Sequence, residues 1–567
     1  MHPRARVPYL LLALSSSILF SVLLLLAPTL EGSPLSNGPS LSAYSTSFSG
    51  SFPWETLPPS RNLEWVKCYQ RHECARLLVP LNYSDPNGPE AAIALIRKPS
   101  EFEAGSEYYR GPVLFNPGGP GESGVDTVLR GGDLLGKIIG PQFDVVGFDP
   151  RGVSRSTPHA TFFRTEVERE LWGWNTDAIV NNTGAGITPP GNAEHSQGSW
   201  KVKATILGFL TRYGSILGAT FAAMFPNNVE RLVIDGVADS EDYYATLWSN
   251  NLLDTDKALE TFFAGCAEAG PEGCAFWAPT PEDIKQNLTV LYDSLRHRPI
   301  PIKTGNNYGV LEYGFLKAIV FNALYSPWAT YPFLAQAIAK LAVGDGSMLF
   351  ETAIPPPYQC SCGSSEEAYN NIREAQIAIM CNDGDDIPED LKSSQEYFDK
   401  LAESSSWAEL WARIRLDCVG WPKFPKAHFQ GPFVANTSHP ILLIGNTADP
   451  VTPLWAAKKM SKGFNNSVVL TQDSPGHSSV AAPSLCTQTY IRNYFIHGTL
   501  PEPGTVCETI GKPFPEVSIS ADLLMASEEY SSQKALMASM TEGERDLFAA
   551  ISELSRKPII SMPFQPV

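Results

Sequence analysis

The sequence predicts an α/β fold with a mainly parallel central sheet. Residues 214–225 are apolar on nearly every side and rich in glycine and alanine, as expected of a helix buried against a sheet. Pro226 ends this helix, and residues 229–234 then form the short apolar run of a buried strand. Two further apolar runs, 113–115 and 143–148, each lead into a loop that contains glycine. Buried strands and helices that alternate in this way are typical of a parallel sheet.

Length and charge narrow the class of protein. The 567 residues are enough for two or more average domains, or for one large α/β domain with a big insertion. The hydrophobic content of 43% is that of an ordinary globular protein. A net charge of −18 argues against nucleic acid as a partner, because phosphates are bound by basic surfaces.

The first 60 residues predict export from the cytosol. Arg4 and Arg6 precede an uncharged apolar run over 7–30, which indicates either a secretory signal peptide or an uncleaved signal-anchor in residues 1–30. The run exceeds the roughly 7–15 residues of a usual signal core, so membrane anchoring stays open beside secretion. Residues 31–60 are rich in Ser, Pro and Gly and predict a linker.

Cysteines and glycosylation sequons agree with an oxidising compartment outside the cytosol. The chain has ten cysteines, and the near pairs are Cys68 with Cys74, Cys266 with Cys274, and Cys486 with Cys507. Cys360 and Cys362 lack the second pair that a zinc site needs, so we expect disulfides and no metal. The candidate glycosylation sites are Asn82, Asn181, Asn287, Asn436 and Asn465.

A glycine-rich loop follows one of the first strands. Strands are predicted over 76–82 and 91–96, and the strand over 113–115 runs into Asn116-Pro-Gly-Gly-Pro-Gly121. Such a loop could cradle a phosphate, but neither the P-loop lysine nor the dinucleotide spacing is present, and we expect no cofactor. Its glycines allow the backbone to turn tightly.

The loops that follow resemble those of a known family. The segment Tyr213-Gly-Ser-Ile-Leu-Gly218 resembles the end of the nucleophile elbow of α/β-hydrolases in the tripeptidyl-aminopeptidase-like branch of the prolyl-aminopeptidase superfamily. Residues 116–121 and the segment Asp149-Pro-Arg-Gly-Val-Ser-Arg-Ser156 match two other motifs of that superfamily. The resemblance implies an oxyanion hole made by the amides of Gly119 and Tyr213. We interpret Asp149 and Arg151 as residues that brace the loop.

The nucleophile is missing from the matched elbow. Counting back from Gly214, the position of the catalytic serine falls on Arg212. Ser215 is only a weak candidate for the nucleophile because it lies one helical turn further on, and Thr211 is weaker. We expect Arg212 to pair with Asp449 or to repel a protonated His477.

The stretch before the elbow is also atypical. Only residues 204–210 could form the strand that enters the elbow, and residues 181–199 have little apolar content. Two explanations fit the whole weak zone, 157–212. The chain is either a catalytically dead relative or the product of a reading frame altered just upstream of Tyr213, and we favour the altered frame.

The acid and the histidine of a catalytic triad follow two later strands. Predicted strands over 440–444 and 467–470 deliver Asp449 and His477, in the chain order that the hydrolase fold requires. His477 would take the proton of the nucleophile and return it to the leaving amine. Asp449 would fix the tautomer of the imidazole and stabilise the imidazolium.

The segment between the two parts of the core predicts a helical cap. Residues 240–430 are interpreted mainly as helices, including 254–266 and 316–341. The resemblance implies a disulfide between Cys381, in a Cys-x-Asp element, and Cys418, in a Cys-x-x-Trp-Pro element. The acidic run 383–390 does not have calcium-loop spacing and is interpreted as a solvated loop.

These observations predict a domain order and a function. The domains are a core in two parts, 61–239 and 431–510, the cap between them, and a C-terminal extension, 511–567, with an amphipathic helix over 531–557. The resemblance implies a serine exopeptidase that releases short peptides from free N-termini, impaired in this chain. An esterase and a non-enzymatic binding protein remain as alternatives, since one fold serves many reactions.

Overall fold

The structure is a computed structural model of the whole chain. It describes residues 52–83, 85–165, 167–168, 206–305, 307–353, 371–422, 429–514 and 538–557. The N-terminal apolar segment, most of the weak zone before the elbow, Cys360, Cys362 and Asn181 therefore lie outside the described residues.

A large twisted sheet forms the centre of the fold. Its strands are β1 (Val66–Cys68), β2 (His72–Pro80), β3 (Glu90–Lys98), β4 (Gly111–Asn116), β5 (Phe143–Phe148), β6 (Ile206–Thr211), β7 (Val229–Asp235), β10 (Leu442–Ala448), β11 (Val468–Pro475) and β12 (Val506–Glu508). Their order is β1-β2-β3-β5-β4-β6-β7-β10-β11-β12. The pairs from β1 to β5 are antiparallel, and all later pairs are parallel. This is the mainly parallel sheet that the sequence predicts, and its strand order is that of an α/β-hydrolase.

Helices cover both faces of the sheet. One face carries α1 (Gly124–Ile139), α13 (Leu485–His497) and α14 (Glu542–Arg556), whose apolar side chains share one core with the strands. The other face carries α2 (Tyr213–Met224) and α12 (Leu454–Ser461), whose alanines and Met460 pack on β7 and β10. Because both faces are covered, the parallel strands are apolar along nearly their whole length.

A helical cap is inserted between β7 and β10. It contains α3 (Ser240–Tyr244), α4 (Thr255–Gly273), α5 (Pro281–His297), α6 (Tyr313–Ala323), α7 (Pro327–Ala342), α8 (Ser347–Ala353), α9 (Ile372–Asp383), α10 (Leu391–Ser404) and α11 (Ala408–Leu416). A small hairpin of β8 (Ile300–Thr304) and β9 (Asn307–Leu311) lies among them. The helix interpreted over 316–341 is two helices, because Pro327 begins a new helix after the turn at residues 324–326.

The two ends of the described chain are part of the core. Trp54 is buried, and its indole donates to the Tyr69 hydroxyl at 2.9 Å, so this part of the stretch interpreted as a linker belongs to the folded core. At the other end, Thr541 caps α14 in a capping box with Glu544, and Ile551 is fully buried in the core beside α1. The amphipathic helix is therefore shorter than predicted, and it completes one face of the sheet.

Candidate active site

The turn between β6 and α2 has the backbone of a nucleophile elbow. Arg212 is the single residue between the strand and the helix, with φ 62° and ψ −121°. This conformation costs free energy for any residue with a Cβ. Its N–H donates to the carbonyl of Asp235 at 2.9 Å, and its own carbonyl accepts from the N–H of Ser215 at 2.9 Å. Arg212 thus occupies the strained position that an α/β-hydrolase gives to its nucleophile.

Two glycines allow the oxyanion loop to approach the elbow. A Cβ on Gly118, whose φ is +98°, would lie 2.7 Å from the carbonyl oxygen of Thr211 and 2.8 Å from the amide nitrogen of Tyr213. A Cβ on Gly214 would lie 2.9 Å from the carbonyl oxygen of Asn116. The close contact of loop and elbow therefore requires glycine at both positions.

The two amides predicted for an oxyanion hole are available. Within the described part of the chain, the N–H groups of Gly119 and Tyr213 donate to no protein acceptor. Tyr213 is the first residue of α2, so its amide also lies at the positive end of a buried helix. The arrangement can hold a negative oxygen between loop and helix.

Asp449 and His477 lie side by side at the carboxyl ends of β10 and β11. The Nδ1 atom of His477 is within hydrogen-bond distance of Asp449, 3.0 Å from each carboxylate oxygen, and 3.0 Å from the Thr452 hydroxyl. Both side chains are buried. The carboxylate also accepts the amides of Val451, Thr452 and Ser478 at 2.8–2.9 Å.

Electrostatics give this pair the protonation states that a general base needs. Burial lowers the pKa of His477, and the nearby Arg212 lowers it further, which outweighs the attraction of Asp449. Burial alone would raise the pKa of Asp449, but His477 and the amides together bring that pKa below its ordinary value. At neutral pH the histidine is neutral and the aspartate ionised.

The loop that carries His477 is held from both sides. The Asn446 amide donates to the carbonyls of Gly476 and Ser478, each at 2.8 Å. From the cap, the carbonyl of Tyr325 accepts the N–H of His477 at 2.9 Å. The ring of Tyr325 also meets the imidazole edge-on with centroids 5.1 Å apart.

The side chain of Arg212 fills the place where a nucleophile would act. It is only 9% exposed, and its Nη1 lies 3.9 Å from an oxygen of Glu122. Its Cζ lies 5.7 Å from the ring centroid of Tyr325. Among the residues that the structure describes, no acceptor lies within hydrogen-bond distance of its buried Nε. Of the two expectations for Arg212, the pairing with Asp449 is wrong, because Asp449 is occupied by His477 and three amides and, among the described residues, Arg212 pairs with Glu122. The other expectation, repulsion of a protonated His477, agrees with the lowering of the His477 pKa by Arg212.

The two hydroxyls next to the elbow bond to the backbone. Ser215 is 1% exposed, and its Oγ donates to the carbonyl of Arg212 and accepts the N–H of Ala238 at 2.9 Å. Thr211 Oγ1 donates to the carbonyl of Pro117 at 3.1 Å. Both side chains therefore brace the turn.

A second buried acid lies under the site and was not singled out from the sequence. Asp235 ends β7 and is fully buried, and its carboxylate accepts the N–H and Oγ of Ser479 at 2.7–3.1 Å. Burial raises the pKa of Asp235 to about 7, although the bonds from Ser479 oppose the shift. Its position as the last residue of an apolar strand beside the elbow is the signal that could have identified it. Glu122, just after the glycine loop, was missed in the same way.

The loop after β5 has the bracing contacts that its motif suggests. Asp149 is fully buried and accepts from Ser123 Oγ at 2.6 Å and from the amide of Arg155 at 3.1 Å. Burial raises the pKa of Asp149 to about 6. Arg151 donates to the carbonyl of Leu81 at 2.7 Å.

Covalent links and surface positions agree with an oxidising compartment. The structure joins Cys68 to Cys74, Cys266 to Cys274, Cys381 to Cys418, and Cys486 to Cys507 as disulfides. The side chains of Asn287, Asn436 and Asn465 are exposed, and that of Asn82 is partly buried. In the described ranges, none of the helices is both long enough and apolar enough to span a bilayer.

The strand order, the strained elbow, the two open amides and the acid–histidine pair together form the arrangement of an α/β-hydrolase fold, with Arg212 at the position of the nucleophile. Residues 404–507 match the family model of TAP-like proteins. The chain is 26% identical to serine protease Hip1 of Mycobacterium tuberculosis over 78% of its own length and 91% of the relative. It is 24% identical to tripeptidyl aminopeptidase of Streptomyces lividans, over 78% and 85% of the two chains. Carboxylesterase B of M. tuberculosis is 25% identical, over 76% and 86%.

Proposed function

We propose that this protein derives from a serine exopeptidase that releases short peptides from free N-termini, and that its chemistry is impaired at the elbow. The observation that carries the proposal is Arg212 in the strained nucleophile position, beside an otherwise equipped site. The substrate class is that of the relative named tripeptidyl aminopeptidase. Peptide is thus the expected partner.

Each remaining group has a role in this chemistry. His477 would act as general base and then as general acid, and Asp449 would hold it in the tautomer that presents Nε2 to the substrate. The amides of Gly119 and Tyr213 would stabilise the tetrahedral intermediate. Without an attacking hydroxyl, only binding and oxyanion stabilisation remain, and these give rates several powers of ten below a complete triad.

The relative named carboxylesterase B favours esterase activity as a second candidate. Esters react by the same acyl transfer but have a better leaving group, so they need less help from His477 as general acid. A comparison of a peptide anilide with an ester of the same acyl group would separate the two activities.

We further propose that the catalytic part lies outside the cytosol, either secreted or tethered by the N-terminal apolar segment. The four disulfides and the exposed sequon asparagines support export. Treatment with a glycosidase that removes N-linked glycans should then increase the gel mobility of the protein expressed in a eukaryotic secretory host.

The decisive experiment restores the missing hydroxyl. The full chain with Arg212→Ser should hydrolyse a tripeptide anilide with a free amine at least about 1,000-fold faster than the unmodified chain. Arg212→Ala is the matched control, because it removes the arginine without adding a nucleophile. A third variant, with residues 157–212 replaced by a family-typical segment, tests whether the sequence before the elbow was altered.

Two results would contradict the proposal. Rapid turnover by the unmodified chain that is lost on Ser215→Ala would place the nucleophile at Ser215. If neither Arg212→Ser nor the segment replacement produces hydrolysis, the peptidase origin is wrong.

A further inference from the structure

We infer that the elbow of this chain is a binding site for the terminal carboxylate of a short peptide, held by Arg212 and the two open amides. The inference rests on the proposed function for its ligand class. It goes beyond that function because the site would retain a free acid, the product of peptide hydrolysis, where a hydrolase would form an acyl-enzyme.

Three hydrogen-bond donors at the elbow have no acceptor. Within the ranges that the structure describes, these are the N–H groups of Gly119 and Tyr213 and the Nε of Arg212. The residue before Gly119 packs tightly against the elbow, since any Cβ on Gly118 would meet the Tyr213 nitrogen at 2.8 Å. A buried donor without an acceptor, such as Arg212 Nε, destabilises the site, so an acceptor that enters it recovers that free energy.

One edge of the Arg212 guanidinium faces an acid, and on the other edge Nε has no acceptor in the described part of the chain. Glu122 approaches Nη1 at 3.9 Å, which is too far for a hydrogen bond. Nε belongs to the other edge of the planar group, where Nε and Nη2 form a fork that matches the two oxygens of a carboxylate. A ligand carboxylate can thus bind Arg212 on the edge that does not face Glu122.

The helix behind the elbow favours a negative charge. The buried helix Tyr213–Met224 starts at the site, and its N-terminal dipole is directed at the place where the carboxylate would lie. Three acids oppose an anion: Glu122, Asp449 and Asp235. Asp449 is paired with His477, and the high pKa of Asp235 leaves it partly protonated at neutral pH. We therefore expect selective but modest affinity.

Calorimetric titration of the full unmodified chain tests the inference from the ligand side. Trialanine with a free carboxylate should bind at least about 10-fold more tightly than trialanine amide, because the amide lacks the charge and one acceptor oxygen. Equal affinity for the two peptides, or no binding of trialanine at millimolar concentration, would overturn the inference.

Variants test it from the protein side. Arg212→Gln should weaken trialanine binding roughly 10- to 100-fold, and Arg212→Lys should weaken it less, since lysine keeps the charge but loses the planar fork. Arg296→Gln, at a half-exposed cap arginine that pairs with Glu409, is the matched control and should bind as the unmodified chain does. Equal loss in Arg296→Gln and Arg212→Gln would contradict a role of Arg212.

The inference and the proposed function can fail separately. If Arg212→Ser hydrolyses peptides while the unmodified chain does not distinguish acid from amide, only the carboxylate site is wrong. If the unmodified chain selects the free acid while no restored variant hydrolyses peptides, the site stands and the peptidase origin is wrong.

Discussion

The candidate site has two halves, the acid–histidine pair and the elbow, and they differ in how complete their catalytic groups are. Around Asp449 and His477, backbone geometry, side chains and electrostatics are all complete. At the elbow the backbone geometry is complete, including the strained residue and the tight glycine contact, but the reacting group is an arginine. Backbone strain is thus retained at a position whose side chain cannot use it, which indicates that loop, strand and helix determine the turn independently of residue 212.

The strongest test of this comparison removes the histidine from a variant whose elbow again carries a serine. In the Arg212→Ser background, His477→Ala should reduce kcat on a tripeptide anilide about 1,000-fold or more, because the serine loses its base. His497→Ala is the control, since His497 is exposed at the end of α13 and should leave the rate unchanged. Restored activity that survives His477→Ala would mean that the acid–histidine half is not catalytic.

Sequence reasoning predicted the proximity of Asp449 and His477 but not the contacts of Arg212 and Asp235. Asp449 and His477 each follow a short apolar strand, and parallel strands bring such ends to one edge of a sheet, so their proximity followed from pattern and order. The ion pair of Arg212 with Glu122 could not be predicted, because it depends on how the glycine loop folds over the elbow. The contact of the Asp235 carboxylate with Ser479 could not be predicted for a related reason: Ser479 lies 244 residues further on, and no sequence signature marks this loop contact.

In the cap, too, the sequence predicted the type of secondary structure but not the contacts between distant residues. Its mainly helical character was predicted, but the break before Pro327 and the pairing of Ile300–Thr304 with Asn307–Leu311 were not. The contact from Tyr325 to His477 joins cap and core, and no pattern within either segment indicates it.

The second prediction concerns how much a disulfide in the cap stabilises the fold. The Cys381–Cys418 disulfide closes a loop across 37 residues and ties α9 to the end of α11. The double substitution Cys381→Ala with Cys418→Ala should lower the free energy of unfolding by about 2–4 kcal/mol, as loop-closure entropy predicts. Urea unfolding measures this change.

The same treatment of Cys68 and Cys74 provides the contrast for the cap disulfide. That disulfide spans only 6 residues, and its loss should cost less. The expectation for the cap disulfide is contradicted if both double variants unfold at the same urea concentration, or if peptide mapping without reduction recovers Cys381 and Cys418 as free thiols.

The smallest expected effect is on the pH dependence of folding stability, to which Asp235 and His477 both contribute. Burial raises the pKa of Asp235 to about 7, above the value near 4 of an unfolded aspartate, so between these values the folded state binds the extra proton. Stability from this group is therefore lost as pH rises toward 7, on the order of 1 kcal/mol per pH unit. His477 acts in the opposite direction: because its pKa is lowered in the folded state, its contribution to stability is lost as pH falls below about 6.5.

The variant Asp235→Asn removes the titration of Asp235 and leaves that of His477. It should raise the unfolding temperature more at pH 8.5 than at pH 6. Asp473→Asn, at an exposed carboxylate on β11, should shift the unfolding temperature little at either pH, whereas an equal shift for Asp235→Asn at both values would mean that Asp235 does not titrate in this range.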